Sequence, residues 1–121
     1  MDQIKAVYQG NFDLLENIQV SPLSRAYTFS DSIYEVIPFF DENIIYFDQH
    51  IARLKRSANA VDIDIDPSIA SNEILQLIKS CEFKSGYVYY QISRGVDQIR
   101  NHLYKNDIEI EYFGYVKDHD F

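Results

Sequence analysis

The sequence predicts an α+β fold in which a mainly antiparallel sheet carries two helices on one face, and three observations lead there. Short runs rich in β-branched and aromatic residues, separated by turn clusters, occupy both ends of the chain. Between them the apolar spacing changes to steps of three and four, first at Phe47, Ile51, Leu54, Ala58 and Val61, then at Ile74, Leu75, Leu77, Ile78 and Cys81. The resulting order, several strands, helix, helix, strand, strand, is that of an α+β layer.

Taken in order, Ile4 to Gln9 alternates as a short strand, Gly10-Asn11 suits a tight turn, and Phe12 to Leu15 returns beside it. Ile18 to Pro22 reads as a further extended piece, its proline marking an edge or a strand end. Ser21 to Ser32 is irregular, a Ser/Thr/aromatic segment whose charged members are Arg25 and Asp31. The stretch from Ile33 to Phe47 is a hairpin turning at Asp41-Glu42-Asn43, and it feeds directly into a helix from about Gln49 to Val61 with Asp48 as N-cap. Arg53 falls between Ile51 and Leu54, near the buried edge of that helix, and an arginine there needs an anionic partner; Lys55 and Arg56 project more freely.

Asp62 to Asp66 alternates but is short and stopped by Pro67, so it is a loop. Its three aspartates lack the glycine and the distal glutamate of an EF-hand, and no metal is assigned to them. Ser68 or Ser71 caps a second helix reaching Glu82, and Lys84-Ser85-Gly86 ends it. Tyr87 to Ser93 is a strand, Arg94 to Asn106 a long polar loop, Ile108 to Tyr115 a last strand and Val116 to Phe121 a polar tail.

At 121 residues the chain makes one domain, spanning 1–121. Ten Tyr and eight Phe with 46% apolar content argue for a folded globule. A net charge of −8 disfavours binding to nucleic acid or to an anionic membrane, both of which need a basic face. A single cysteine, Cys81, allows no internal disulfide. With no signal-peptide pattern and no apolar run of membrane-spanning length, a cytoplasmic location is expected.

No histidine stands at metal-ligand spacing with another histidine or a cysteine, and there is no phosphate loop, nucleophile elbow or cysteine with a positioned base. The unusual feature is Arg100-Asn101-His102 on a long loop between two strands. Paired guanidinium and imidazole donors suit a carboxylate; a solvated surface turn is the competing reading of that stretch alone.

The segments SRAYTFSDSIYEVI, FDQHIARLKRSA and YYQISRGVDQIRNH, in this order, resemble the N-terminal domain of the fold-type IV pyridoxal-phosphate aminotransferases, and most of all the D-amino-acid (D-alanine) aminotransferases. In that family a DRGxxFGDGxYE segment leads into a hairpin, a HxxRL helix follows, and an RGxxPRNH loop marks the D-amino-acid branch. The resemblance implies that Arg53 binds the phosphate of pyridoxal 5′-phosphate, and that Tyr34, Arg100 and His102 grip the substrate α-carboxylate, the last two from a loop that crosses a homodimer interface. For Tyr34 alone a core aromatic competes with this role, and for His50 a structural role competes with a site role.

This chain departs from the pattern in four places. Ser30 and Ser32 stand where the family has the glycines of FGDG, and Ser24-Arg25-Ala26 stands for DRG, which bears on the shape of the loop because glycine permits positive φ. The spacing before the RNH triplet is one residue longer, with Ile99 in place of proline. No lysine matches the one that forms the Schiff base, which in the family lies in a C-terminal domain, so no catalytic residue is assigned. The expectation is the N-terminal domain of an enzyme that moves amino groups between D-amino acids and 2-oxo acids, inactive in isolation. A branched-chain aminotransferase or aminodeoxychorismate lyase is the alternative within the superfamily, and a non-catalytic self-associating or ligand-binding module the alternative outside it.

Overall fold

The computed structural model describes residues 3–120. Strands β1 (Lys5–Tyr8), β2 (Asn11–Leu14), β3 (Ser32–Phe40), β4 (Asn43–Ile44), β5 (Gly86–Ser93) and β6 (Glu111–Asp118) form a six-stranded sheet in the order β2-β1-β6-β5-β3-β4. Every neighbouring pair is antiparallel. Helices α1 (Arg25–Phe29), α2 (Phe47–Ala60) and α3 (Pro67–Ser80) complete it, and the two long ones pack on one face, as the apolar spacing predicts.

The period-2 alternation sorts the strands' side chains. Ile37 and Phe39 of β3, Val88, Tyr90 and Ile92 of β5, and Tyr112 and Val116 of β6 meet Leu54 and Ala58 of α2 and Ala70, Ile74 and Leu77 of α3 in one core. Each large apolar side chain closed off there contributes about 1.5–3 kcal/mol. The other face carries a stack of tyrosines running across three strands: Tyr34 on Tyr89 at 5.5 Å between ring centroids, and Tyr89 on Tyr115 at 5.4 Å.

Boundaries differ from expectation for local reasons. The first hairpin turns at Gln9-Gly10, both with positive φ, one residue before the expected Gly10-Asn11; the second turns at Asp41-Glu42, also both positive. Such mirror-image turns match the twist of paired strands. Asp48 is not the N-cap of α2: Tyr46 holds that place in a left-handed conformation without a side-chain bond, and Asp48 lies in the first turn, where a negative charge suits the helix dipole. Nor do Ser68 or Ser71 cap α3. Asp66 does, its carboxylate accepting from the Ser68 backbone N–H at 3.0 Å with Pro67 in the first turn, so the proline that stops the alternating run starts the helix.

Ile18 to Pro22 joins no ladder. Ser21 to Ser32, expected to be irregular, holds the short α1, capped by Ser24 and closed by Ser30 at φ 54°. Serine thus takes a left-handed conformation at a position where the motif it resembles has glycine. The last strand starts at Glu111, later than Ile108, and runs to Asp118 because β5 pairs with it from Ser93↔Glu111 through Gly86↔Asp118. Part of the expected tail is therefore strand, and its Phe121 lies outside the described residues.

Candidate functional site

On α2, Arg53 extends over the edge of the sheet and meets Glu35 of β3 with two parallel bonds, Nε to Oε2 and Nη2 to Oε1, each 2.8 Å. His50, one helical turn earlier, bonds Glu35 Oε1 through Nδ1 at 2.6 Å. Glu35 stands on the core face of β3 in line with Ile37 and Phe39 and is 4% exposed. Burial alone would push its pKa up, but the bonds and charges of Arg53 and His50 outweigh that and hold it below the usual carboxylate value. The Arg53 guanidinium itself is largely exposed, so the buried edge expected for it belongs to its partner. A cavity of about 260 Å³ lies here, lined by Tyr46, Gln49, His50, Arg53 and Arg56. Arg53 Nη1 makes no bond among the described residues, and Arg56 pairs with no acid there.

A second cluster fixes the long loop. Asp31 accepts from Arg25 Nε at 3.1 Å and from Arg94 Nε at 2.6 Å and Nη2 at 3.3 Å. Burial raises the pKa of Asp31, and the two arginines more than reverse it, leaving it lowered. Arg94 also donates to the carbonyls of Val61 and Asp62 just past the end of α2. Arg25, 4% exposed, donates from Nη1 to the Asn101 carbonyl at 2.6 Å and from Nη2 to that of His102 at 3.4 Å. The Phe29 ring lies under the guanidinium groups of Arg25 (4.3 Å) and Arg100 (4.4 Å) and against the His102 ring (5.1 Å). Ile99, at the longer spacing, is exposed.

The residues singled out in the sequence therefore fall into three groups. Arg53 and His50 share Glu35 beside one small cavity; Arg100 and His102 share Phe29 on the loop; Tyr34 is exposed on the sheet face opposite α2 and α3, where its ring partner is Tyr89. No ring contact or hydrogen bond within the described residues joins Tyr34 to Arg100 or His102. Sequence reasoning missed Glu35, although the signal was there: alternation from Ile33 places one acid between apolar residues on the core face, opposite an arginine that needs an anion. It also passed over Arg94. That arginine follows a strand whose Ser93 pairs with Ser32, the neighbour of Asp31, so only the register brings the two charges together.

The chain is similar to known proteins in sequence and in fold. The family model described as amino-transferase class IV matches residues 32–116. The D-alanine aminotransferase of Listeria monocytogenes serotype 1/2a is 34% identical over 98 residues, covering 79% of this chain and 34% of that protein. That of Staphylococcus aureus (strain MSSA476) is 30% identical over 121 residues, covering 96% of this chain and 42% of that protein. The solved branched-chain aminotransferase of the thermophilic archaeon Thermoproteus uzoniensis, with norvaline, superposes with a TM-score of 0.83 at 17% identity, over 98% of this chain and 42% of that one. The chain thus spans between about a third and two fifths of the length of these curated relatives. The family match across β3 to β6, the segment that holds Glu35, Arg53 and the Arg100 loop, establishes that the chain belongs to the class IV amino-transferase family.

Proposed function

We propose that this chain is the N-terminal domain of a pyridoxal-phosphate-dependent aminotransferase acting on D-amino acids and 2-oxo acids, and that it supplies phosphate and carboxylate contacts without a catalytic lysine. The observation that carries the reading is Arg53: fixed in two places by a buried carboxylate, it keeps donors free toward a cavity that also holds Arg56, His50 and the polar ends of Tyr46 and Gln49. That donor set fits a phosphate dianion, which takes several charge-assisted bonds at once. No lysine lines the cavity. When bound, the pyridoxal ring supplies the electron sink for loss of the α-proton. The chain's own residues hold and orient: Arg53 and Arg56 the phosphate, Arg100 and His102 the substrate carboxylate, with Tyr34 of a second copy completing that grip in a homodimer.

The D-alanine aminotransferase relatives and the Arg100-Asn101-His102 loop favour D-amino acids over the branched-chain and lyase alternatives. Pyridoxamine 5′-phosphate, which has no aldehyde to react with surface lysines, tests the phosphate site without the rest of the enzyme. Heteronuclear NMR titration should show saturable shifts at His50, Arg53 and Arg56, with unphosphorylated pyridoxamine binding at least about tenfold more weakly. Equal binding of the two would overturn the assignment.

A further inference from the structure

A cavity of about 360 Å³ lies on the sheet face opposite α2 and α3, beneath the segment that runs from Leu15 to Tyr27. Its floor is made by Tyr8, Gln91, Ser93, Glu111 and Phe113, which alternate with core-facing Val7, Ile92 and Tyr112. Its walls are apolar at Leu15, Ile18 and Val20. The volume falls at the lower end of the range for small-molecule sites, which typically combine apolar walls with a few fixed polar groups.

The polar group here is Glu111, 6% exposed. Its Oε1 accepts the hydroxyls of Ser24 at 2.5 Å and Ser93 at 2.7 Å, and its Oε2 accepts that of Tyr8. Burial, and then the Glu111 carboxylate, push the Tyr8 phenol above its ordinary pKa, so Tyr8 stays a donor. Of the other enclosed acids, Glu35 has Arg53 and His50, Asp31 has Arg25 and Arg94, and Glu73 is closed inside the core against the Tyr90 hydroxyl. Asp97, also buried and without a cation among the described residues, accepts the Ile99 backbone N–H at 3.2 Å and lines no part of this cavity. No Lys, Arg or His pairs with Glu111 among the described residues. Each carboxylate oxygen has two lone pairs, so Oε1 is filled and Oε2 keeps one acceptor position. A buried carboxylate is costly without a cation, and a positively charged N–H donor at that position supplies both the charge and the missing bond.

We propose that this cavity binds a small primary ammonium ligand with an apolar body, the nitrogen on Glu111 and the hydrocarbon against Leu15, Ile18 and Phe113. Anionic ligands are disfavoured by Glu111 and by the chain's charge of −8, and an amino acid, which carries a carboxylate beside its ammonium, fits worse than a simple amine. The site is separate from the Arg53 cavity, which shares none of its lining.

NMR titration of the chain with benzylammonium, benzyl alcohol and benzoate, at millimolar concentrations, tests it. The expected result is saturable shifts confined to Tyr8, Ser24, Gln91, Ser93, Glu111 and Phe113, with the amine binding at least about tenfold tighter than the alcohol and benzoate not binding. Glu111→Gln should lower amine affinity at least about tenfold and leave the alcohol unaffected. Equal affinity for amine and alcohol, amine shifts scattered over the acidic surface, or undiminished amine binding by Glu111→Gln would each overturn the proposal. If Glu111→Gln does not fold, Val20→Lys at the exposed rim takes its place. Its tethered ammonium competes for Glu111, and unchanged amine affinity in that variant overturns the proposal equally.

Discussion

Arg53 and Glu35 are joined by two parallel bonds of 2.8 Å, one end on a helix surface and the other buried on the core face of a strand. The geometry lets an exposed guanidinium keep one orientation, because a planar fork on a fixed carboxylate cannot swing as a lone lysine would.

Replacing the buried end should be costly and pH-dependent. Glu35→Gln keeps the shape but leaves Arg53 and His50 without an anion, and a loss of about 2 kcal/mol at neutral pH is expected. Since the folded-state pKa of Glu35 lies below that of the unfolded chain, its stabilisation is present above the ordinary carboxylate range and lost as pH falls through the depressed value. Urea melts of parent and variant should therefore converge toward acid. A constant gap down to low pH would show that the pairing is not what stabilises.

Glu73 should behave with the opposite sign. Burial raises its pKa, only partly offset by the Tyr90 hydroxyl and the Gly10 N–H, so the ionised form weakens the fold above that raised value and the weakening disappears as pH drops below the ordinary carboxylate range. Glu73→Gln retains an acceptor for Tyr90. It should melt higher than the parent at neutral pH, with the difference vanishing at acid pH; a variant that melts lower at both would count against the argument.

Gly95 opens the loop that carries Arg100 and His102, with φ +125°, and a Cβ built there would stand 2.1 Å from the Glu109 carbonyl oxygen. Both the backbone conformation and the contact exclude a side chain, so Gly95→Ala should cost at least about 2 kcal/mol. Thermal melts would measure it, and faster exchange of the Arg25 guanidinium hydrogens, which the Asn101 and His102 carbonyls accept, would show that the loop loses its hold on Arg25.

The sheet, both long helices and the Arg53 position were legible because each rests on a local signal: a period of two, a period of three to four, and a charged residue between apolar ones. What was not legible depends on register. Asp31 and Arg94 lie far apart in sequence and meet only because Ser32 pairs with Ser93, and the start of β6 follows β5 rather than the apolar run from Ile108. Helix caps were misplaced where serines near the helix start compete with Asp66, which alone lies at the residue before Pro67. The outward placement of Tyr34, against the core position that competed for it, was not read from the sequence because Glu35, its inward neighbour on β3, was passed over.

The proposed phosphate and carboxylate roles can be separated by two substitutions. Arg53 faces the cavity with Arg56 and His50, whereas Arg100 rests on Phe29 at the far loop, and no lining residue is common to the two surroundings. Arg53→Ala removes the donors aimed at an anion and should raise the dissociation constant for pyridoxamine 5′-phosphate at least about tenfold. Arg53→Lys should recover only part of this, because an ammonium cannot bridge Glu35 and a phosphate with a rigid fork. Arg100→Ala should leave that constant within about twofold, since its proposed partner is the substrate carboxylate and not the cofactor. In a protein carrying the complete active site, the same Arg100→Ala change should instead raise KM for D-alanine. If Arg53→Ala binds pyridoxamine 5′-phosphate as tightly as the parent while remaining folded by circular dichroism, the phosphate contact lies elsewhere and the role given to this helix is wrong.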